Sequence, residues 1–600
     1  MIIPMQSLTL LCLDAHRDQA LEALRELGVV HLVPVAAADS RSVDEARARA
    51  AHIRRVLEVL PAKPGQPPSG QPGDLVVERA WHLLQQKREL EEALEDVRQE
   101  RHRIAPYGNF DPESVRELRA RGVVIKLIQV PPKSDWKAPA GVVVQALGQD
   151  EAGSYFALVG RDDFPVTATE LRLPEMSRNE LDRRISDLEG KLLANGEALW
   201  AHAGDQAVVQ AEAVKAEEHL HFLEARAGMG TTAPVSYLSG YCPREAVETL
   251  RAAAAREGWG LRISEPTGDE AVPTLIRNPV WVKPIKAVLD FIGVLPGYTE
   301  IDISAIFLLF LSLFFAMLVG DAGYGVIFLA LTAWGRRKFS QAPAYPFHLM
   351  YIMSVGTVIW GAVTGTWFGA GHLPGFLEGL TVAWLREPKN VMLMCFVIGA
   401  VHLTIAHLWI ITRTWNSLKA LAQLGWIGST WTMFFMARNL VLGQPLPAWI
   451  GGVFVASVVL IILFMTAPRD FKNEWFNHVM LPLNLVSNFV DVVSYIRLFA
   501  VGTAGYAVAF SFNKMILGGG PEGVVAGLVA ALLLFLGHTL NILLSVMGVL
   551  VHGVRLNTLE FSSHIGMAWT GVPYRPFQRI GKPEHCPPKA GPPLAENLNA

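Results

Sequence analysis

Two apolar stretches late in the chain carry polar and ionisable side chains at helical spacing. The first, LPLNLVSNFVDVVSYIRLFAVGTAGYAVAF, begins at Leu481. Its polar residues recur every three or four positions and, on an α-helix, lie within about 60° of Asp491. They are Asn484, Ser487, Asn488, Asp491, Ser494 and Tyr495. A stripe of this kind can pass a proton or a small cation along an otherwise apolar helix.

Arg497 points about 120° away from that stripe. Its own face consists of small and apolar residues: Val493, Val501 and Ala504, with Gly502 and Gly505 beside it. Small residues allow close packing, so the sequence predicts that a large partner passes this guanidinium. A charge at the centre of a membrane costs at least about 2.5–3.5 kcal/mol. Arg497 lies deep within its apolar segment, which favours a functional role over a side chain that reaches the surface.

The second stretch, GLVAALLLFLGHTLNILLSVMGVLVHGVRLNTLEF, begins at Gly527 and has its own polar stripe. On an α-helix five side chains fall within an arc of about 100°: His538, Asn541, Ser545, His552 and Arg555. Two structural roles for the residues of these polar stripes stay open as alternatives to ion handling. Serine and asparagine commonly hydrogen-bond neighbouring membrane helices, and Arg555 can belong to a structural ion pair or reach the membrane surface. His402 and His407 are predicted to be packed or interfacial imidazoles. Asp321 lies in a helix break, where capping or pairing is as well supported by the sequence as ion handling.

The distribution of charge explains where these residues must lie. The first 280 residues carry 33 basic and 42 acidic side chains, whereas the remaining 320 carry 19 and 13. This split excludes a soluble enzyme, a fibrous protein and a disordered chain, and predicts a hydrophilic domain followed by a membrane domain. The four cysteines are far apart and form no CxxC pair, so neither a disulfide framework nor a zinc site is expected.

The fold class is predicted to be mainly α, with small α/β lobes in the hydrophilic part. Residues 1–280 read as a dumbbell on a rigid stalk, without a catalytic motif, and therefore as a spacer or docking arm. Apolar residues at three- and four-residue spacing among alternating charges predict an antiparallel coiled coil. The predicted parts are a first lobe with a linker at 61–74, coiled-coil helices at about 75–103 and 177–227, a distal lobe at about 104–175, and a lobe return at 233–264.

The second half is predicted to be a linker at 281–302, a polytopic domain of about eight helices at 303–562, and a tail at 563–600. The first pair of helices is interrupted by the GDAGYG motif at 320–325. The last two apolar segments exceed the roughly 20 residues that span a membrane, which predicts strong tilt or extension beyond the bilayer. Basic residues are concentrated in alternate loops, for example Arg336 and Arg413, which predicts that both termini and the tail are cytoplasmic.

Several motifs resemble the large membrane stator, called subunit a or subunit I, of rotary V-type and A-type ATPases. They are SYIRLFAVG at 494–502, VHGVRLNTLEF at 551–561 and LVGDAGYG at 318–325. The family's essential translocation arginine in SY-x-RL falls on Arg497, and a second family arginine falls on Arg555 with His552. The chain departs from the family at 302–304, where Asp-Ile-Ser replaces a frequent Asp-Pro-Thr. Gly505 and Ser545 stand where some eukaryotic members have histidine and glutamate.

The resemblance implies a non-catalytic subunit, without a cofactor, of an ion-translocating rotary ATPase in the cell (inner) membrane. Its partners would be a ring of carboxylate-bearing c subunits, peripheral-stalk subunits, a possible central-stalk subunit and lipid, with no nucleic acid. Arg497 would displace ions from the ring between two half-channels. The relay and lining groups implied are Asp491, His538 and His552, with Asn541, Ser545, Ser487 and Ser494, and with Glu560 at the cytoplasmic mouth.

Two other functions stay open from the sequence. A secondary transporter can use Arg497 and Arg555 to bind an anionic substrate, although one helix break and no internal repeat are evident. A purely structural membrane anchor for the coiled coil is the other possibility, but it leaves Arg497 unexplained. Co-purification of ring and stalk subunits separates the three functions.

Overall fold

The computed structural model describes residues 1–37, 40–61, 63, 66–105, 111–131, 136–150, 153–171, 175–267, 270–467, 471–518 and 523–580. The chain forms two compact units. The hydrophilic unit contains Thr9–Gly240, Leu250–Arg262 and the described residues from 577 onward. The apolar unit contains Met1–Leu8, Tyr241–Thr249 and Ile263–Pro576.

The chain starts with alternating strands and helices: β1 (Met5–Leu13), α1 (Arg17–Leu27), β2 (His31–Val33), α2 (Arg41–Val59) and α3 (Gly73–Ile104). Helix α1 ends because Gly28 adopts a left-handed conformation, with φ of 65°, and its N–H donates to the carbonyl of Leu24. Helix α2 begins at Ser40, whose side chain accepts a hydrogen bond from the N–H of Val43.

A small α/β lobe follows α3. It consists of α4 (Pro112–Ala120), β3 (Val123–Val130), β4 (Val143–Asp150), β5 (Gly153–Arg161) and β6 (Thr169–Leu171), with an antiparallel strand order β4-β5-β3-β6. Adjacent residues of β3 face opposite sides of this sheet. Leu127 packs with Ile104 and Leu181, whereas Ile128 packs with Phe164.

Two further helices are α5 (Arg178–Ala201) and α6 (Gln206–Ala227). Helix α5 runs antiparallel to α3: Asn195 donates to the carbonyl of Leu83 at 3.1 Å, and Arg98 pairs with Glu189 at 2.7 Å. The predicted coiled coil stays a prediction. The continuous helix expected over 177–227 is interrupted at 202–205, and α6 packs mainly against α2.

The interruption has a structural cause. A Cβ atom at Gly204 would lie 2.4 Å from the carbonyl oxygen of Pro67, so the linker backbone passes against this glycine. The buried carboxylate of Asp205 accepts hydrogen bonds from the N–H of Ser69 at 2.6 Å and from Nδ1 of His202 at 2.8 Å. The linker is therefore fixed at the α5–α6 junction.

The chain then returns through β7 (Gly230–Thr232), β8 (Val235–Pro243), α7 (Val247–Glu257) and β9 (Gly260–Ser264). These strands complete a sheet with the order β2-β8-β1-β9, and β7 pairs with β8. The return lies within residues 230–264.

The apolar unit is mainly helical. Its first elements are β10 (Pro273–Thr274), α8 (Lys286–Ile292), α9 (Ser304–Val319), α10 (Ala322–Lys338), α11 (Ala344–Thr364), α12 (Gly375–Glu378), α13 (Pro388–Arg413), α14 (Lys419–Leu442) and α15 (Ile450–Phe464). The later ones are α16 (Phe471–Ser494), α17 (Ile496–Leu517), α18 (Val524–Gly548), π-helical segments at Val549–Gly553 and Leu556–Phe561, α19 (Ser562–Ile565), and β11 (Val572–Pro573).

Helix α9 lies at the centre of this unit. Its Phe307, Phe314 and Leu318 are fully buried and belong to the same apolar cluster as Tyr495 and Phe561. This aromatic core supports the long helices that follow. Gly320, with φ of 68°, ends α9 at the GDAGYG motif.

Among the described residues, four helical segments are long and apolar enough to cross a membrane. They are Ala344–Thr364, Pro388–Arg413, Glu474–Leu517 and Val524–Ile565, and shorter apolar helices occur at Ser304–Val319 and Ile450–Phe464. The 44-residue segment is about 66 Å long at 1.5 Å per residue. The chain is therefore a membrane protein, while the number of spans, the tilt and the orientation stay predictions. Arg469 is a further basic residue in the alternate loops that predict the orientation, and it lies outside the described residues.

The Asp205 carboxylate provides a test of the linker contact. Burial raises its pKa, but the hydrogen bonds from His202 and Ser69 outweigh this effect, so the pKa lies below its ordinary value. Asp205→Ala should increase amide exchange of residues 66–72 and of the first turn of α6, because the Ser69 N–H loses its acceptor. Hydrogen-exchange mass spectrometry measures this change.

Asp205→Asn is the matched control, since its amide oxygen can still accept from Ser69 and its effect should be smaller. The unfolded carboxyl has a pKa of about 3.9, so the stabilisation from Asp205 is present above that pH and is lost as the pH falls through the lower folded-state pKa. Equal exchange in the wild type and in Asp205→Ala would show that the contact does not hold the linker.

Candidate functional site

The central feature of the apolar unit is a carboxylate held by two arginines. Glu560 is 5% exposed, and its Oε1 accepts a hydrogen bond from Nη1 of Arg497 at 3.0 Å. The Nε of Arg555 lies 3.4 Å from the same oxygen. Oε2 of Glu560 is buried and has no hydrogen-bond partner among the described residues. The three side chains leave one net positive charge.

The π-helical segments explain this geometry. Arg555 and Glu560 are five positions apart, which on an α-helix would separate their directions by about 140°. In a π-helix residues i and i+5 lie on the same face. Glu560 lies inside the second π segment, at Leu556–Phe561, and therefore turns towards both Arg555 and Arg497. The single polar stripe predicted for an α-helix up to Arg555 is thus changed after residue 548.

A second group of polar side chains lies at the α17–α18 contact. The hydroxyl of Tyr324 is 2.7 Å from Nδ1 of His538 and accepts from Nδ2 of Asn541 at 3.0 Å. Asn541 also donates to the carbonyl of Gly505 at 2.8 Å. The other ring nitrogen of His538 is 3.1 Å from Oδ1 of Asn513. The structure thus joins two predicted site residues, His538 and Asn541, into one hydrogen-bonded group.

A third group connects four helices, α13, α14, α16 and α19, through side chains far apart in sequence. Oδ2 of Asp491 is 3.1 Å from Nε2 of His564, whose Nδ1 is 3.0 Å from Nε2 of His407. Nδ1 of His407 is 2.8 Å from Oε1 of Gln423. His564 falls within the predicted tail at 563–600, but it lies in α19 and its side chain is only 8% exposed. The folded apolar unit therefore continues past residue 562.

The other predicted lining residues have different surroundings. The hydroxyls of Ser494 and Ser545 donate to backbone carbonyls of their own helices, those of Asp491 and Asn541. Ser487 is exposed, and His552 is half-buried. These four residues are on the two long helical segments but are not joined to one another by hydrogen bonds.

Two other polar residues, one in the Asp491 stripe and one in the GDAGYG motif, have structural roles. Asn488 is buried and bonds to Ser429 and Thr430 of α14. Asp321 caps α10, since its carboxylate accepts from the N–H groups of Gly323 and Tyr324, and also from that of Gly369. Of the two alternatives that the sequence leaves for Asp321, its described contacts favour capping.

The glycines beside Arg497 face the chain itself, which corrects the expectation that they make room for a partner. A Cβ at Gly502 would lie 2.4 Å from the carbonyl oxygen of Met317 in α9. Gly505 receives the hydrogen bond from Asn541. Ala504, which lies on the same face of α17 as Arg497, is exposed. The sequence around these glycines does not show which face of α17 packs against α9.

A cavity of about 520 Å³ lies beside α17. Its lining includes Gly320, Thr366, Arg386, Leu498, Gly502 and Tyr506. Arg386 pairs with Glu378 at 3.3 Å at the exposed side of the cavity. The cavity therefore joins the α9–α10 break, the loop after α11 and the helix that carries Arg497.

Sequence reasoning missed Tyr324, Gln423, Asn513 and His564, and it interpreted His407 as a packed or interfacial imidazole and not as a site residue. Only His564 has a local signal, because it follows Glu560 by four residues. The others approach the site through tertiary contacts between distant helices, which spacing along one helix does not reveal.

Comparison with known proteins finds full-length relatives. The chain is 31% identical over 634 residues to V-type ATP synthase subunit I 1 of Treponema pallidum, covering 96% of this chain and 100% of the relative. It is 31% identical over 620 residues to V-type ATP synthase subunit I of Borreliella burgdorferi, covering 97% and 100%. No protein-family model matches the chain.

One solved structure is the crystal structure of the cytoplasmic N-terminal domain of subunit I, homolog of subunit a, of V-ATPase. It is 14% identical to this chain and covers 43% of it and 100% of the solved chain, with a TM-score of 0.19. That score is too low for a comparison of folds.

Glu560→Gln tests whether the carboxylate holds the site together. Removing the charge leaves Arg497 without its ionic partner, and loss of one member of a buried pair costs on the order of 3 kcal/mol. We expect a lower unfolding temperature of the detergent-purified protein, measured by scanning fluorimetry. Glu474→Gln is the control, because the Lys419–Glu474 pair is exposed and 4.0 Å apart. Equal shifts for the two variants would contradict a central role for Glu560.

Proposed function

The chain belongs to the V-type ATP synthase subunit I family, and from this premise we propose that it is the ion-translocating stator of a rotary ATPase. The proposal makes it a membrane subunit without ATP chemistry of its own. It guides ions to and from a ring of c subunits, each with a carboxylate in the membrane. The observation that carries the proposal is Arg497, a part-exposed arginine within a long apolar segment whose counter-ion, Glu560, belongs to the same chain.

Arg497 acts in this proposal as a permanent positive charge beside the ring. A guanidinium keeps its proton, so its field favours the ionised form of a passing carboxylate. An ion carried by that carboxylate is released before the carboxylate passes. The same charge blocks direct leakage of cations between the two sides. Arg497 is 27% exposed, which leaves part of its guanidinium available to a partner.

Two ion routes would lead to Arg497. One begins in the 520 Å³ cavity and continues along the hydrogen-bonded group that contains Tyr324, His538 and Asn541. The other lies around Glu560, Arg555, His552 and Asp491, on the side predicted to be cytoplasmic. Ser487, Ser494 and Ser545 accompany these routes as lining groups. Because Arg497 separates the two routes, transport depends on rotation of the ring.

The hydrophilic unit would be the mechanical arm. Helices α3 and α5 lie antiparallel and are joined by side-chain contacts at several levels, which resists bending. Ion flow turns the ring with about 2.3 kcal/mol per charge per 100 mV. An arm bound to peripheral-stalk subunits opposes that torque, and a cytoplasmic location follows from the proposed topology.

Arg497→Ala tests the proposal. We expect loss of ATP-driven ion transport in vesicles containing the reconstituted complex, while the complex still assembles. Arg497→Lys should restore little, because lysine is a compact charge without the planar fork of arginine. A fluorescent probe of vesicle acidification, together with sodium uptake, measures transport of either ion.

Arg413→Ala is the matched control, since Arg413 is an exposed arginine at the end of α13. The complex with Arg413→Ala should transport ions at the wild-type rate. Coupled pumping by Arg497→Ala at the wild-type rate would refute the stator mechanism, and failure of ring and stalk subunits to co-purify would refute the proposed partners.

A further inference from the structure

Four side chains inside the apolar unit, Gln423, His407, His564 and Asp491, form a continuous hydrogen-bonded chain in which the last three are titratable. Its three contacts are 2.8, 3.0 and 3.1 Å long. His407 is 3% exposed, and the side chains of His564 and Asp491 are 8% and 19% exposed. The most exposed of these three groups is therefore the carboxylate, and the two imidazoles lie behind it.

The end at Gln423 determines where the hydrogens lie. An amide oxygen only accepts hydrogen bonds, so His407 donates from Nδ1 and its Nε2 is left as an acceptor. His564 must then donate from Nδ1 to His407. Its Nε2 faces Oδ2 of Asp491 at 3.1 Å. A hydrogen bond between that nitrogen and a carboxylate requires one additional proton, carried by either partner.

The surroundings hold the two imidazoles in this arrangement. The ring of His407 is parallel to that of Trp426, with 7° between the planes, and is nearly perpendicular to that of His564. Helix α19, which carries His564, packs against α13, which carries His407. Gln423 and His407 therefore fix which nitrogen of His564 is available to Asp491.

The contact between Asp491 and His564 also lies next to the contact between Arg497 and Glu560. His564 follows Glu560 by four residues, about one helical turn. Asp491, near the end of α16, precedes Arg497, in the first turn of α17, by six residues. The contacts Arg497–Glu560 and Asp491–His564 are thus consecutive along the same pair of antiparallel segments.

We propose that Asp491 and His564 form a proton-carrying pair on the path to Arg497, so that the transported ion is a proton, not Na⁺. His407 and Gln423 are positioning residues that keep Nε2 of His564 directed at Asp491. This inference rests on the proposed stator function and adds to it the identity of the ion.

The proton transfer is balanced without another reactant. The O–H bond of protonated Asp491 breaks as the Nε2–H bond of His564 forms, which leaves a carboxylate beside an imidazolium. The reverse transfer returns the proton to Asp491, from which water or the next carboxylate on the path takes it. The Nδ1–H of His564 stays bonded to His407 throughout. Sodium is a hard cation that prefers several oxygen ligands, and here an imidazole nitrogen occupies the inner side of the carboxylate.

The experiment uses the complete complex in vesicles, with ATP-driven acidification and uptake of radioactive sodium as the two readouts. His564→Ala should lower proton transport about tenfold or more, since loss of a positioned acid–base group typically costs 10²–10⁴-fold in rate. Imidazole added to the buffer should restore part of the lost transport, which a purely structural defect would not allow. His478→Gln, which alters a half-buried histidine of α16 bonded to the carbonyl of Ile462, should leave transport unchanged.

The positioning residues have their own comparison. His407→Gln can still accept from Nδ1 of His564 and should keep most of the transport rate, whereas His407→Leu should lose it. The Gln423→Glu variant should likewise transport protons faster than the Gln423→Leu variant.

Sodium uptake by the wild-type complex would overturn the inference, as would wild-type proton transport by His564→Ala, or a His564→Ala defect that imidazole does not relieve. These results are distinguishable from failure of the stator proposal. If Arg497→Ala abolishes transport while His564→Ala pumps normally, only the proton-carrying pair is wrong. If Arg497→Ala pumps normally, the stator proposal itself is wrong.

Discussion

The ion pairs of the buried Glu560 carboxylate with Arg497 and Arg555 are the interaction around which the apolar unit is organised. A charge in an apolar environment is stable only when it is paired, and a buried carboxylate with two arginines meets that requirement. Arg497 comes from the helix after Tyr495, whereas Arg555 and Glu560 come from the segment after α18. The contact therefore joins the last two long segments and fixes the direction of the Arg497 guanidinium.

The same requirement for pairing arranges the neighbouring polar groups. Tyr324, His538 and Asn541 satisfy one another, and the carboxylate of Asp321 is satisfied by backbone N–H groups at the start of α10. His402 lies stacked between Phe310 and Phe561 and bonds to the hydroxyl of Tyr495. Polar groups at this depth are expensive unless bonded, so their partners determine how the helices pack around α9.

The sequence predicts which helices carry the site because polar residues are rare in those segments and their spacing is regular. It also singles out Arg497 and Arg555 as candidates, whereas Glu560 enters only through the family resemblance. It does not predict the contact between Arg555 and Glu560, since five-residue spacing brings side chains together only in a π-helix. Nor does it predict the pairing of His564 with His407, because the two are joined by a fold that brings α19 to α13. In the hydrophilic unit, spacing alone did not reveal the interruption near Gly204, which the passing linker causes.

Two arginines beside one carboxylate give the proposed mechanism a physical advantage. If Arg497 turned towards a ring carboxylate and Glu560 had no other partner, a buried charge would be left unpaired at a cost of several kcal/mol. Arg555 lies 3.4 Å from the same Glu560 oxygen and remains there as a counter-ion. Arg497 can then exchange one carboxylate for another, so that ion pairs are replaced instead of broken. The net positive charge of the three groups makes this exchange favourable for an ionised carboxylate and unfavourable for a cation, which is the selectivity that a stator beside a carboxylate ring requires.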